Sequence, residues 1–192
     1  MNSTLAPPVS LSDSVLRNGD IERGYELIQG RLVEMPDMSN RDMSVADNIL
    51  ESLRPFVRKH RLGRIGREWI LRLRPDAPRT WRPDVAFVSF VRWPAERGMP
   101  ESDPWDVVPD LAVEVVSHTN TADDVAARID AYFEAGSSLV WVVYPRNFLV
   151  YVYTSRTHAR ILTTEDELNG DDLFPGFRMP VLRVFEDVPL GT

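Results

Sequence analysis

Cysteine is absent from the chain, and lysine occurs only once among its 192 residues, at Lys59. Without cysteine the protein has no disulfide bond, no thiolate metal site and no cysteine nucleophile. No apolar run approaches the roughly 20 residues that a membrane span needs, so no membrane partner is expected. The first residues also lack the basic region and apolar block of a signal peptide, and these absences together predict a cytoplasmic protein.

The chain does contain enough apolar material for one domain of ordinary size. Hydrophobic residues make up 43% of it, which is enough to bury a core. Residues 1–20 are polar and contain proline, and they predict a mobile N-terminal arm. Residues 21–188 contain no repeat or linker that would divide them, so they are interpreted as a single domain.

Patterns of apolar residues predict the order of the elements. Two short alternating runs that meet at Gln29 and Gly30 predict a hairpin, and apolar positions from Val45 to Val57 recur at helical spacing. A second helix is predicted from residues 119–121 to Gly136, with acids in its first turn. Strands are predicted at 65–73, 85–91, 111–116, 139–144, 148–153 and 159–162.

Two prolines mark interruptions in these patterns. Pro55 falls inside the first helical pattern, where it predicts a kink or a break. Pro175 and Gly176 predict a turn. The second helix connects two strands that should be neighbours. This order predicts an α/β (α+β) fold in which helices flank a mixed central β-sheet.

Two of the predicted strands each carry one carboxylate. Asp84 stands at the start of its apolar run, and Glu114 interrupts the run from Leu111 to Val116. A carboxylate in an apolar strand is costly unless it has a partner, and two of them suggest a shared cation. Mg²⁺ suits such a pair because it needs few protein ligands and keeps several waters. The pair therefore predicts a metal site for the hydrolysis of a phosphodiester.

The helix that follows Glu114 offers a positive charge for the same site. On a helical wheel with Val125 at 0°, Tyr132 lies at about −20° and Arg128 at about −60°. Arg128 therefore flanks the buried stripe and can point along the sheet toward Glu114, where it would stabilise negative charge on a phosphate. The alternative is a helix pair between Arg128 and Asp124, four residues earlier.

Positive charge is concentrated in one window of an otherwise acidic chain. The net charge is −7, yet the segment from Arg54 to Arg82 holds ten Arg or Lys residues against two acids. If these side chains share a face, they form a footprint for the phosphates of a nucleic acid. The alternative is a set of separate, solvated helix and strand faces, and the order of residues does not exclude it.

Several short motifs carry a family resemblance when they are taken in order. They are Tyr25-Glu-Leu-Ile-x-Gly30, Arg82-Pro-Asp-Val85, Pro109-Asp-Leu-x-Val-Glu-Val115, Tyr132-x-x-Ala-Gly136 and Trp141-Val-Val143. Over about residues 22–155 the chain resembles the Uma family of restriction-endonuclease-like proteins, in the PD-(D/E)XK nuclease superfamily. The resemblance implies a restriction-endonuclease-like fold and cleavage of nucleic acid, expected to be DNA, with Mg²⁺ or Mn²⁺ as cofactor. It also implies that Asp84 and Glu114 are the acidic pair that holds the metal.

The chain departs from the family pattern at three positions. The family lysine corresponds to Arg128, which keeps the charge but cannot transfer a proton. A family histidine near the start of the first long helix corresponds to Asp42, and His118 stands where the family usually has proline. Glu26 matches an acid early in the family pattern. The candidate site therefore has the catalytic residues Asp84, Glu114 and Arg128 and the supporting residues Glu26, Asp42 and His118.

Two further functions are compatible with these residues. The replacement of lysine favours a catalytically weakened protein of the nuclease fold, which would bind nucleic acid or a partner protein. A structural homodimer is the third hypothesis, and it predicts that the protein binds no metal. Arg128 discriminates between a degraded and an active nuclease, because Arg128→Lys would raise cleavage only in the degraded one.

Overall fold

The structure is a computed structural model that describes residues 16–17, 20–21, 25–28, 31–34, 38–75 and 79–188. The strands are β1 (Leu16–Arg17), β2 (Asp20–Ile21), β3 (Tyr25–Ile28), β4 (Arg31–Glu34), β5 (Gly63–Arg67), β6 (Val85–Ser89), β7 (Leu111–Val115), β8 (Leu139–Tyr144), β9 (Leu149–Ser155), β10 (His158–Leu162), β11 (Glu167–Gly170) and β12 (Phe174–Pro180). The helices are α1 (Asn40–Lys59), α2 (Ala122–Ala135) and α3 (Val181–Val184).

The centre of the fold is a six-stranded sheet in the order β10-β9-β8-β7-β6-β5. Only β7 and β8 are parallel within this sheet, and α2 is the crossover that connects them. The other neighbours pair antiparallel. The predicted mixed α/β sheet with flanking helices is therefore confirmed.

Each face of the sheet has its own hydrophobic core. The α1 face is the side on which Val113 packs against side chains of α1 such as Ile49 and Leu53. The α2 face is the opposite side, on which Ala112 packs in a smaller core with Ile129 of α2. Successive residues of a strand point to opposite faces, so this assignment follows along β6, β7 and β8.

Local signals in the sequence set the ends of α2 as predicted. The Thr121 hydroxyl accepts from the backbone N–H of Asp124 at 3.2 Å, and the Asp124 carboxylate accepts from the backbone N–H of Thr121 at 2.9 Å. This capping box satisfies N–H groups that the first helical turn cannot pair. Gly136 ends the helix in a left-handed conformation with φ of 100°, which favours glycine.

The strand predicted at 65–73 is shorter than expected. β5 ends at Arg67 because the next residue, Glu68, has a φ of 51° and leaves the extended conformation. Leu71 instead forms isolated bridges with Trp81 and Trp105 and joins the core of the α2 face. The apolar alternation beyond Arg67 reflected burial on one side and not a continuous strand.

The chain continues through both prolines, so the predicted break at Pro55 was wrong, while the alternative of a kink stays a prediction. α1 runs through Pro55, which lies on the exposed side of the helix near the exposed Glu51, so the carbonyl left without a partner can be solvated. Pro175 and Gly176 lie inside β12, where Gly176 adopts a φ of 85°. The reversal between β11 and β12 occurs before them, and the predicted turn at these two residues was wrong.

Some predictions concern parts of the chain outside the described residues. Gln29 and Gly30 are among these, but β3 and β4 on either side pair antiparallel, so the hairpin is confirmed. The division into an arm at 1–20 and a domain at 21–188 stays a prediction. Among the residues described here, no helix is both long enough and apolar enough to span a membrane.

Candidate active site

The strand register places Asp84 opposite Glu114. β6 and β7 are antiparallel with Val85 paired to Val113, so the next position outward sets Asp84 against Glu114. Side chains at opposite positions of an antiparallel pair point to the same face, with Cβ atoms about 4.5–5.5 Å apart. The backbone N–H of Val115 donates to Asp84 Oδ2 at 2.6 Å, which holds this carboxylate against β7.

The two carboxylates lie on the α2 face of the sheet. Ala86 and Ala112, two residues further along their strands, both pack in the core of that face. Because side chains alternate along a strand, Asp84 and Glu114 share it. They are therefore on the side of the sheet that α2 covers.

Glu114 is buried and already has partners within the chain. Only 8% of the residue is exposed. The Tyr132 hydroxyl donates to Glu114 Oε1 at 2.6 Å, and Arg128 Nη1 lies 3.3 Å from both carboxylate oxygens. Burial and the Glu114 charge raise the pKa of Tyr132, so its hydroxyl keeps the proton that it donates. The partner that a buried carboxylate requires is thus supplied by the protein.

Arg128 links Glu114 to a third carboxylate. Its Nη2 lies 3.5 Å from Glu26 Oε1 while its Nη1 pairs with Glu114. The charge of Glu114 raises the pKa of Arg128, so the guanidinium stays charged. The carboxylate of Asp124 instead accepts from the Thr121 hydroxyl at 2.7 Å. The alternative helix pair with Asp124 is therefore not among the ion pairs that the described residues form.

Glu26 comes to the site from the N-terminal hairpin. It lies on β3 with 2% of its surface exposed, and its Oε2 is buried without a hydrogen-bond partner. Burial raises the pKa of Glu26, and the nearby Arg128 acts in the opposite direction. Two hydrogen bonds with Thr80 fix this part of the hairpin. The backbone N–H of Thr80 donates to the Leu27 carbonyl at 2.9 Å, and the backbone N–H of Leu27 donates to the Thr80 hydroxyl at 2.8 Å.

Asp84 is the carboxylate of the site that no arginine pairs with among the described residues. Burial and the neighbouring Glu114 carboxylate raise the pKa of Asp84 to about 8, against the hydrogen bond from Val115. Within the described residues Asp84 forms no ion pair with an arginine, whereas Glu26 and Glu114 both pair with Arg128. The site therefore holds three carboxylates around one ion-paired guanidinium, and an additional cation would be stabilised there.

The structure places Asp42 and His118 apart from this cluster. Asp42 lies in the first turn of α1, where its backbone N–H donates to the Ser39 hydroxyl and its carboxylate accepts from that hydroxyl at 2.7 Å. His118 is exposed in the loop between β7 and α2. No hydrogen bond or ion pair joins either residue to Glu26, Asp84 or Glu114 in the described structure, and their supporting roles stay predictions.

The basic window does not form a single face. Its first members lie at the end of α1, on the α1 face of the sheet, where Arg58 is exposed. Arg67 pairs with Asp47 at 2.6 Å, and Arg72 pairs with Asp106 at 3.2 Å. The alternative of separate solvated faces therefore describes most of the window better than a continuous phosphate footprint.

Two residues near the cluster were missed in the sequence. Tyr132 was assigned only to the apolar stripe of its helix, although it stands four residues after Arg128 and a buried tyrosine hydroxyl needs a partner. Arg79 was counted as one of ten basic residues, yet it affects the pKa of Glu26. No pattern within the window distinguished Arg79 from its neighbours.

The fold is similar to that of a solved nuclease-like protein. The crystal structure titled a "putative nuclease belonging to DUF820", from Anabaena variabilis, aligns with a TM-score of 0.74 over 87% of this chain and 92% of that one. The two sequences are 16% identical, so this similarity concerns the fold alone.

The sequence of the chain assigns it to a family. The family described as "Uma2: Putative restriction endonuclease" matches residues 20–182, and the chain belongs to it. The resemblance found in the motifs is thereby confirmed. No curated protein matches the chain.

The donor set fits a small divalent cation. Within the described residues no cluster of three or more His, Cys, Asp or Glu side chains could hold a metal. Mg²⁺ does not need such a cluster, since it is commonly held by one or two carboxylates with waters in the remaining positions. Asp84 and Glu114 supply hard oxygen ligands, and burial together with the charge of Glu114 raises the pKa of Asp84.

Proposed function

We propose that the protein is a Mg²⁺-dependent endonuclease that hydrolyses phosphodiester bonds in DNA, with Mn²⁺ as an alternative cofactor. The observation that carries this proposal is the position of Asp84 opposite Glu114 on one face of the sheet, where Asp84 has no ion pair among the described residues. Membership of a family described as restriction endonucleases supports it.

Asp84 and Glu114 would hold the ion, which when bound polarises a phosphoryl oxygen and lowers the pKa of a bound water. The Tyr132 hydroxyl orients Glu114 through its 2.6 Å hydrogen bond. Arg128 keeps a permanent positive charge beside these oxygens and would stabilise the negative charge that develops on the phosphate. Glu26 holds the second side of the Arg128 guanidinium and so fixes its orientation.

Nicking of supercoiled plasmid in millimolar Mg²⁺ or Mn²⁺ tests the proposal. The wild-type protein should nick the plasmid, and Glu114→Ala should lower the rate by at least about 100-fold, as expected for the loss of one electrostatic group in the site. Glu51→Ala, a change at an exposed glutamate of α1 on the other side of the sheet, is the matched control. Absence of nicking by the wild-type protein with both metals would contradict the endonuclease.

A second candidate function is a catalytically weakened nuclease fold that binds nucleic acid or a partner protein. The ion pairs of Arg128 with both Glu26 and Glu114 favour it, because they compensate a carboxylate that the metal would need. Arginine also cannot transfer a proton at neutral pH. An increase in nicking for Arg128→Lys over the wild type would support this candidate.

Calorimetry with Mg²⁺ distinguishes the endonuclease from the hypothesis of a structural homodimer. An endonuclease should bind the ion at millimolar concentration, and the heat should disappear in Glu114→Ala. Binding should also release protons below pH 8, because the raised pKa of Asp84 leaves it protonated until a cation arrives. A protein that binds no Mg²⁺ would favour the homodimer.

A further inference from the structure

Arg79 is a partly buried arginine whose charge has no counter-ion. Its guanidinium carbon lies 3.8 Å from the centroid of the Trp81 ring, so the two groups are stacked. Its Nε is buried without a hydrogen-bond partner. Arg79 takes part in no ion pair and donates no hydrogen bond in the part of the chain that the structure describes.

The position of Arg79 is fixed by contacts that lead directly to the carboxylate cluster. Trp81, on which it stacks, packs against Tyr132 with ring centroids 5.9 Å apart, and Tyr132 donates to Glu114. The adjacent Thr80 is hydrogen-bonded to Leu27, the residue that follows Glu26. Arg79 therefore stands at the edge of the cluster between β3 and α2.

Some other arginines in the same window have acceptors within the described residues, although the Nε of Arg67 is, like that of Arg79, buried without a partner. Arg64 donates to the carbonyls of Trp93 and Ala95 at 3.1 and 2.8 Å, and Arg67 pairs with Asp47. Buried polar groups are normally hydrogen-bonded, so an unsatisfied one requires a specific reason. Burial lowers the pKa of Arg79, while Glu26 opposes that shift from nearby. The group is thus a desolvated positive charge that lacks an acceptor.

Stacking on Trp81 determines what kind of ligand could complete the site. It restrains the guanidinium plane and leaves its edge, with the N–H donors, free. That edge matches the geometry of a phosphate, which can accept two parallel hydrogen bonds. Glu26 is the carboxylate whose charge acts most strongly on the pKa of Arg79, yet it pairs with Arg128.

We propose that Arg79 binds a backbone phosphate of nucleic acid at the edge of the Glu26, Asp84 and Glu114 cluster and thereby positions the strand. This inference rests on the proposed function, which makes nucleic acid the ligand of the cluster. Arg79 is a positioning residue in this assignment, and it does not need to contact the bond that is cleaved.

Binding of labelled duplex DNA in EDTA, followed by fluorescence anisotropy over a series of salt concentrations, tests the assignment without cleavage. Arg79→Ala should weaken binding by about tenfold, the size expected when a hydrogen-bonded charge is lost. The slope of log K against log salt should decrease in magnitude by about 0.9, as expected for one phosphate contact. Arg79→Lys should keep the salt slope but recover only part of the affinity, because lysine cannot stack as a planar fork.

Arg58→Ala is the matched control. Arg58 belongs to the same basic window but is exposed in the last turn of α1, which packs on the other face of the sheet. Its replacement should change the affinity by less than about twofold, since an exposed charge distant from the strand is screened by salt. Equal losses for Arg58→Ala and Arg79→Ala would overturn the assignment and indicate general attraction only.

The remaining outcomes separate the inference from the proposed function. Wild-type affinity in Arg79→Ala, together with a lowered melting temperature, would overturn the assignment and make Arg79 a structural counter-charge. A protein that binds DNA through Arg79 but never nicks it would support the assignment while contradicting the endonuclease. A wild-type protein that binds no nucleic acid would overturn both.

Discussion

The two faces of the central sheet differ in what they bury. Among the described residues, the α1 face packs 24 buried hydrophobic residues into one core, whereas the α2 face packs 12 and ends at a cluster of buried charges. Both faces use the same strands, because successive residues of β6 and β7 point to opposite sides. Burial in the larger apolar core stabilises the fold and offsets part of the cost of the carboxylates that the α2 face retains.

The charged face should give the largest effect on stability. Arg128→Ala leaves Glu26 and Glu114 buried without their cation, which typically costs about 3–5 kcal/mol. The loss should be larger at pH 9 than at pH 6, because unpaired carboxylates take up protons as the pH falls. Urea unfolding at both values measures it. A loss that is equal at both pH values would mean that packing by the arginine side chain matters more than its charge.

The apolar face should respond with a similar loss but without a dependence on pH. Leu53 is fully buried between α1 and the sheet, and Leu53→Ala should destabilise the protein by about 2–5 kcal/mol. The same urea measurements should give an equal loss of stability at pH 6 and pH 9, since Leu53 packs in a cluster of hydrophobic residues. A strong dependence on pH in Leu53→Ala would contradict the separation of the two faces.

Asp84 should make the stability of the wild type fall as the pH rises. The pKa of Asp84 in the folded protein, about 8, lies above the ordinary value of about 3.9, so folding favours the protonated carboxyl group. The stability gained in this way is complete below about pH 3.9 and is lost as the pH rises to about 8. The slope that one such group contributes is up to about 1.4 kcal/mol per pH unit.

Asp84→Asn removes the titrating group and should flatten the stability profile between pH 6 and 8. Unfolding free energies at half-unit steps provide the measurement, and Asp47→Asn, which changes a half-exposed acid on α1, is the control. If Asp84→Asn keeps the full slope of the wild type, the excess charge of the cluster resides on another carboxylate.

The capping box of α2 should have the smallest effect. Thr121→Ala removes the hydroxyl that accepts from the Asp124 N–H, and loss of such a cap costs about 1 kcal/mol. Thermal unfolding should detect it, and Thr119→Ala in the preceding loop is the control. A loss comparable to that of Arg128→Ala would mean that the start of α2 governs the charged cluster as a whole.

Much of the fold could be predicted because its signals are local. The capping residues of α2, the glycine after it and the apolar strands on either side all act within a few residues of one another. The helical period also placed Arg128 on the flank of α2 that faces Glu114. The end of β5 could not be predicted in this way, because the left-handed Glu68 interrupts an apolar alternation that continues beyond it.

The partners of the charged groups required the folded chain. Glu114 lies 18 residues before Tyr132 and far from Glu26 in the sequence, and no local pattern relates all three. Arg79 was one arginine among ten until the contacts of Trp81 placed it beside the cluster. The register of β6 and β7 likewise decided that the two acids share a face, since a shift by one residue would have separated them.

The sequence by itself determined the class of fold, the family and the two strands that carry acids, because periodicity, caps and short motifs are properties of neighbouring residues. Only the tertiary structure decided how the charges are shared. Among the described residues it assigned Arg128 to both Glu26 and Glu114 and gave neither Asp84 nor Arg79 an ion pair. The pairing of these charged groups depends on which distant segments of the chain meet and exclude water. Burial then sets the strength of the electrostatic interactions between them.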